Sequence, residues 1–350
     1  MKIVTGAIVL FILSFNICNA QQYQGAYWDF FSYHQPSTSA EGTGKIYLNS
    51  NNDAFSSWYN PALPSFSDKL RISYSTSQNA YFVRDGYFPY HENAFYNAFG
   101  IDVPVKNVGT FSFVSNYNLI KTNYEYNQEF EWKNTSYNIN YSKDIFSGFN
   151  AGVGFNYFKW EVMLPSNYHP DRFFSEYYSL NLGISYKYSL PSSEYYSQSA
   201  FVDISVLNIL TSHPNTKNDI SYHSTLPQID HVSLGYISKY KGFGIIKGVD
   251  DFQTDVQIEN VDLLNSYYYN TFSVGMDIKF IDIVSLKVGN YYFIEDYTTY
   301  GLGISFPLRL VSEIPLVIGV DYSHLKVPPY FYPGNNEVNS FSANLRFDIN

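Results

Sequence analysis

From Lys69 almost to the last residue, apolar side chains fall at every second position, in segment after segment separated by turns. The cleanest case is Phe272, Val274, Met276, Ile278 and Phe280, which alternate with Ser273, Gly275, Asp277 and Lys279. Successive side chains of an extended strand point to opposite sides, so a period of two predicts strands with one apolar and one polar face. The same period sets Leu70, Ile72 and Tyr74 against Arg71, Ser73 and Ser75, and Phe149, Ala151, Val153 and Phe155 against Asn150, Gly152 and Gly154. It returns at Phe111 to Leu119, Tyr178 to Tyr188, Tyr300 to Phe306 and Leu316 to Tyr322. The strand after Lys241-Gly242 is expected to be the least regular, because Ile245 and Ile246 are adjacent and Asp250-Asp251 interrupts the pattern.

So many strands with an apolar face need a large apolar surrounding. Aromatic residues make up 20% of the chain and charged residues only 15%, a ratio that suits strands facing hydrocarbon, with rings at the headgroups and wet phenol oxygens. Connection lengths add a second constraint. Short connections near Lys106, Asp144, Lys241 and Asp282 alternate with long ones at Gln78 to Glu92, Lys121 to Glu131, Leu164 to Glu176, Leu210 to Gln228 and His324 to Val338. Short turns at one rim and long loops at the other are the arrangement of outer-membrane barrels. The expectation is an all-β fold, a transmembrane antiparallel β-barrel of about fourteen strands. A soluble sandwich or propeller is the alternative, but it does not require such asymmetry.

Ahead of the strands, Lys2, the apolar run Ile8 to Phe15 and the small residues around Asn19-Ala20 predict a signal peptide over residues 1–20. Cys18 is the one cysteine of the chain, so a chain cut after Ala20 has neither disulfide nor thiol chemistry. Three segments follow: the leader 1–20, an amino-terminal segment 21–68 and a barrel 69–350. Gln21 to Lys45 is expected to be partly irregular. A net charge of −10 argues against a nucleic-acid partner, which needs a basic surface.

Between leader and strands, Asp53 to Ser67 reads as a short helix-like run broken by prolines. Asp53 is expected to cap its first turn, Phe55 and Trp58 crowd its apolar side, and Pro61 turns Asn60 away from the helical region. Such a segment has one place to go in a closed barrel, the lumen, where it forms a short helical plug. Phe55, Trp58, Asn60, Pro61 and Ala62 are its candidate plug residues. The run Asp53 to Leu63, with Asn60-Pro61-Ala62 at its centre, resembles the amino-terminal signature of the FadL-like outer-membrane barrels, in particular the branch containing the PorV and PorQ proteins of type IX secretion. The resemblance spans Gly44 to the carboxyl terminus. It implies a fourteen-stranded plugged barrel in the outer membrane of a Gram-negative bacterium. It also implies either a role in protein secretion or as a surface anchor or shuttle, or FadL-like transport of a hydrophobic solute. A structural barrel without transport activity is the third reading.

Inward parity falls to Arg71, Asp203, Asp277, Lys279, Lys287, Asp321, Arg346 and Asp348. These candidate lumen charges are expected to pair with one another or with the plug. No enzyme, cofactor or metal is expected. The seven histidines lack ligand spacing, and Asp250-Asp251 and Glu295-Asp296 sit at turns rather than forming a catalytic pair. Aromatic clusters at Tyr81-Phe82, Tyr87 to Tyr90, Tyr267 to Tyr269 and Pro328 to Pro333 lie in or beside long loops. They suit an interfacial girdle, a hydrophobic ligand or a protein partner. The expected partners are outer-membrane lipid, secretion-machinery or exported proteins, and a hydrophobic solute.

Overall fold

The computed structural model describes residues 35–78, 91–124, 128–163, 172–212, 215–217, 226, 228–243, 250–264, 270–292, 296–310, 312, 314–326 and 337–348. The expected leader and the aromatic clusters at 81–90, 267–269 and 328–333 lie outside them.

The alternating segments form β1 (Lys69–Gln78), β2 (His91–Val105), β3 (Gly109–Tyr124), β4 (Gln128–Phe146), β5 (Phe149–Met163), β6 (Arg172–Ser189) and β7 (Tyr196–Ile209). They continue as β8 (Asn215–Lys217), β9 (Gln228–Tyr240), β10 (Phe252–Leu264), β11 (Asn270–Phe280), β12 (Val284–Tyr292), β13 (Asp296–Pro307), β14 (Leu316–Lys326) and β15 (Glu337–Asp348). All are antiparallel to their neighbours, and β1 closes on β15 from Lys69 opposite Asp348 to Gln78 opposite Asn339. The result is a closed barrel of fourteen strands, and the three-residue β8 pairs only with the loop end of β6. Closure leaves no strand edge unpaired, which a sheet in hydrocarbon requires.

Burial is inverted relative to a water-soluble domain. Tyr74, Phe99, Ile139, Leu182, Leu234, Val274, Leu302 and Ile318 are exposed on the outer face, whereas Ser73, Ser136, Asn140, Asp203, Gln257 and Lys287 are buried inside. On β4, β5 and β6, Tyr137, Tyr157 and Tyr178 stand opposite one another in register, with ring centroids 6.0 and 5.2 Å apart. Beyond them, toward the rim of long connections, the outer face carries ion pairs between Lys133 and Glu131 and between Lys159 and Glu161. Charges belong to water, so the tyrosines mark one edge of the apolar belt. Strands β3 to β6 run 16, 19, 15 and 18 residues, against 11, 9 and 11 for β11, β12 and β14. The wall is taller on the β3–β6 side.

Three expectations are corrected. Of the irregular strand expected after Lys241-Gly242, Ile245 and Ile246 lie outside the described residues, and Asp250-Asp251 does not interrupt β10, which starts at Phe252 with Gln253, Asp255, Gln257 and Glu259 turned inward. Asp250-Asp251 precedes it, and Asp251 folds the connection back by accepting from the Phe243 amide at 2.7 Å. That connection, residues 241–251, is therefore not short. The long loop expected at Lys121 to Glu131 is mostly strand, because β3 reaches Tyr124 and β4 begins at Gln128. Polar residues such as Lys121, Asn123 and Glu129 hide the period in the sequence there. Of Gln21 to Lys45, expected to be partly irregular, residues 21–34 lie outside the described residues, and the part from Gln35 contains one helical turn.

Candidate functional site

The segment before β1 runs through the lumen. Helix α1 (Thr38–Glu41) starts at Ser37, an extended residue whose hydroxyl accepts the Ala40 amide at 3.1 Å and so satisfies one of the free donors of the first turn. Gly44 and Lys45 take left-handed backbone, with φ of 74° and 67°, and the chain reverses. A second turn, α2 (Ser56–Tyr59), follows, then a 3-10 turn at Leu63–Phe66 that leads into β1. Phe55, not Asp53, occupies the cap position of α2. Asp53 instead braces the turn before it, with one carboxylate oxygen accepting the Phe55 amide at 3.1 Å and the other accepting from the Ser37 hydroxyl. The two halves are joined further by Ser39 to Asn51 at 3.0 Å, by the Tyr47 hydroxyl to the Asp53 carbonyl at 2.9 Å, and by Tyr47 against Tyr59 at 5.0 Å.

The Asn-Pro-Ala turn carries the tightest contacts. Asn60 is extended, as a residue before proline must be, and this ends α2. Its Oδ1 accepts the Ala62 amide at 2.9 Å, and its Nδ2 donates to the carbonyls of Ile184 and Ile204, which face each other across β6 and β7. The Pro61 carbonyl accepts from Asn140 at 2.9 Å, and Ala62 is fully buried. Phe55 is fully buried beside Gly100, and Trp58 is nearly so.

Of the lumen charges, Arg71 pairs with Asp102 at 2.7 Å and donates to the Ser56 hydroxyl. Asp203 accepts from Asn49 at 3.0 Å, and Lys279 donates to the Ser50 carbonyl. These three hold the plug. Lys287 pairs with Asp321 at 2.7 Å and Lys279 lies 3.7 Å from Asp277, both within the wall. Arg346 lines the same small cavity as Lys279, Lys287 and Asp321 at the short-connection end. The side chain of Asp348 lies outside the described residues.

Sequence reasoning missed several anchors. Asp255 accepts the Ser50 amide at 2.9 Å, Ser73 the Ala54 amide at 2.9 Å, and Thr299 the Gly44 amide at 2.7 Å. Inward parity marks Ser73, but nothing in the sequence says where the plug would lie. Glycines missed as contacts matter more. A Cβ on Gly152 would stand 2.0 Å from the Pro61 oxygen, on Gly183 2.0 Å from Asn60 Oδ1, and on Gly100 2.5 Å from the Ala54 oxygen. On the opposite wall, a Cβ on Gly275 would meet the Thr43 oxygen at 2.3 Å and on Gly289 the Gly44 nitrogen at 2.1 Å.

Burial sets the electrostatics of the plug. It pushes the Asp53 carboxyl up to about 6, against hydrogen bonds from Ser37 and Phe55 that pull it down. It also raises Glu41 and lowers Lys45, each partly offset by the other.

At the loop end, inward side chains become apolar: Tyr96, Phe158, Tyr177, Leu207, Ile229 and Tyr291 are buried there. Beneath them a cavity of about 50 Å³ lies between Trp58, Tyr59, Asn156, Asn208, His231 and Glu259, with the His231 ring 3.2 Å from Glu259. That space suits a few waters, since an apolar cavity known to take benzene has roughly 150 Å³. Among the described residues no cluster of three or more metal-binding side chains occurs.

No protein-family model and no curated protein matches the sequence. Among solved structures, the chain is similar to the Pseudomonas putida toluene transporter TodX, with a TM-score of 0.51 and 9% identity, over 90% of this chain and 97% of that one. The CymD monoaromatic hydrocarbon channel gives a TM-score of 0.49 at 9% identity, over 91% and 98%. A Pseudomonas aeruginosa FadL homologue gives 0.44 at 10% identity, over 90% and 98%. At such identities the likeness is one of fold alone, a closed antiparallel β-barrel of the kind seen in TodX.

Proposed function

We propose that the chain is an outer-membrane protein that works through its surfaces rather than its lumen, as a PorV/PorQ-like barrel in protein secretion or as a surface anchor. The observation that carries this reading is the filled lumen. Plug backbone touches opposite walls, and the free space beneath the apolar end is about 50 Å³. A channel for solutes needs a path, whereas a docking barrel needs only a rigid body fixed in the membrane. No catalytic step is part of this reading.

The apolar side chains at the loop end favour a second reading, capture of a hydrophobic small molecule. They lie beside a register shift in the β6–β7 ladder between Leu180 and Leu182, where Asn208 takes left-handed backbone. A deletion strain separates the two. Loss of particular proteins from the cell surface, with unchanged uptake of a labelled monoaromatic hydrocarbon, is the expected result. An uptake defect with an unchanged surface proteome would replace the first reading with the second.

A further inference from the structure

We propose that the plug is the template on which the barrel closes, and that it stays locked there afterwards. The plug meets the wall where the wall has no side chain, with its backbone at Gly100, Gly152, Gly275 and Gly289 and with the Asn60 side chain at Gly183. Gly100 on β2, Gly152 on β5, Gly183 on β6, Gly275 on β11 and Gly289 on β12 each leave less room for a methyl group than any real Cβ contact allows, because plug atoms stand 2.0 to 2.5 Å from where it would be. These strands lie on both sides of the seam between β1 and β15. One short segment thus fixes the position of early and late strands at once.

The same contacts exclude sliding. Moving the plug by one tier along the strands would set its backbone on Ala98 or Asp102 instead of Gly100, and on Lys287 or Tyr291 instead of Gly289, all inward and buried. They also exclude late entry. One end of the lumen is narrowed by Tyr96, Phe158, Tyr177 and Tyr291, the other by Lys279 and the Lys287–Asp321 pair. A folded plug reaches its seat most directly while the wall is still open.

Chain order explains how this helps. Every barrel strand but one pair meets a neighbour close in sequence; β1 and β15 must meet across nearly the whole chain, the costliest step for a polymer. The plug is joined directly to β1, and its Gly44 amide is held by Thr299 on β13 while its Ser50 amide is held by Asp255 on β10. Strands late in the sequence that bind the plug are thereby delivered beside β1. Asn60 does the same locally by joining carbonyls of β6 and β7.

The full-length chain tests this with single methyl groups. Gly152→Ala, Gly275→Ala and Gly289→Ala, each facing plug backbone, should lower the yield of the compact, heat-modifiable barrel by about tenfold or more, as forced overpacking does. Gly235→Ala and Gly319→Ala should not, because their nearest neighbours are side-chain atoms at 3.3 and 3.4 Å. Alanine is no worse than glycine within a strand, so backbone preference does not produce this split. Equal behaviour of the two groups would overturn the proposal. Hydrogen exchange of the parent in detergent micelles tests the lock separately: the Gly44, Ser50 and Ala54 amides should exchange as slowly as the wall strands. Exchange about a hundredfold faster would show a plug that comes and goes in a finished barrel.

Discussion

Asp53 is held by two donors yet has its carboxyl raised to about 6 from an ordinary value of 3.8, because burial outweighs them. A raised pKa means that the folded chain favours the protonated form. Its contribution to stability is therefore fully present below about 4 and is lost as pH rises to about 6, a difference of roughly 3 kcal/mol at most. Asp53→Asn removes the charge and keeps an acceptor for the Phe55 amide. The variant should gain stability relative to the parent between pH 4.5 and pH 8, by about 2–3 kcal/mol, in urea unfolding from lipid vesicles. A constant difference at both pH values would mean that Asp53 does not carry its proton in the folded state. Neither the shift nor the partner Ser37 was legible in the sequence, where Asp53 reads as a simple helix cap.

At the level of the strand, parity decides cost. Val274, Leu302 and Ile318 are exposed on the apolar belt, while Ser273 and Gly303 point inward. Arginine at any of the three should destabilise the inserted barrel by about 2–4 kcal/mol if it lies near the bilayer midplane, while Ser273→Thr should be milder, as equilibrium refolding into vesicles would reveal. Equal costs on both parities would displace the register. Strands such as β11 were legible because their outer face is continuously apolar and their inner face is small or polar. β10 was not: Thr254 and Asn260 interrupt its outer face, and Asp250-Asp251 draws the eye to a place before it starts. The loop end of the lumen was hidden for the opposite reason, since Tyr177 inside and Tyr178 outside are both aromatic and the period vanishes. α1 is a four-residue polar helix with no period to read, and only contact with a polar wall buries it.

For the whole molecule, the number of strands, their closure and the polar interior followed from repetition of one pattern, whereas the path of the plug did not, because it is set largely by contacts between residues far apart in the chain, such as Asn60 with Ile204 and Gly44 with Thr299. A plug in contact with the wall on opposite sides should make the purified protein a poor conductor. In planar bilayers it should show little steady current, and a porin-like conductance would mean that the plug leaves a continuous path. Fractionation should find the protein in the outer membrane. Cylinders in a fluid bilayer usually have no front or back, but this one has a wall that rises higher on the β3–β6 side, with charge pairs on its outer surface. Whatever approaches from outside therefore meets a molecule with a compass bearing: neighbours can be sorted by azimuth, and a protein held against the tall side would be carried in one orientation as the barrel diffuses.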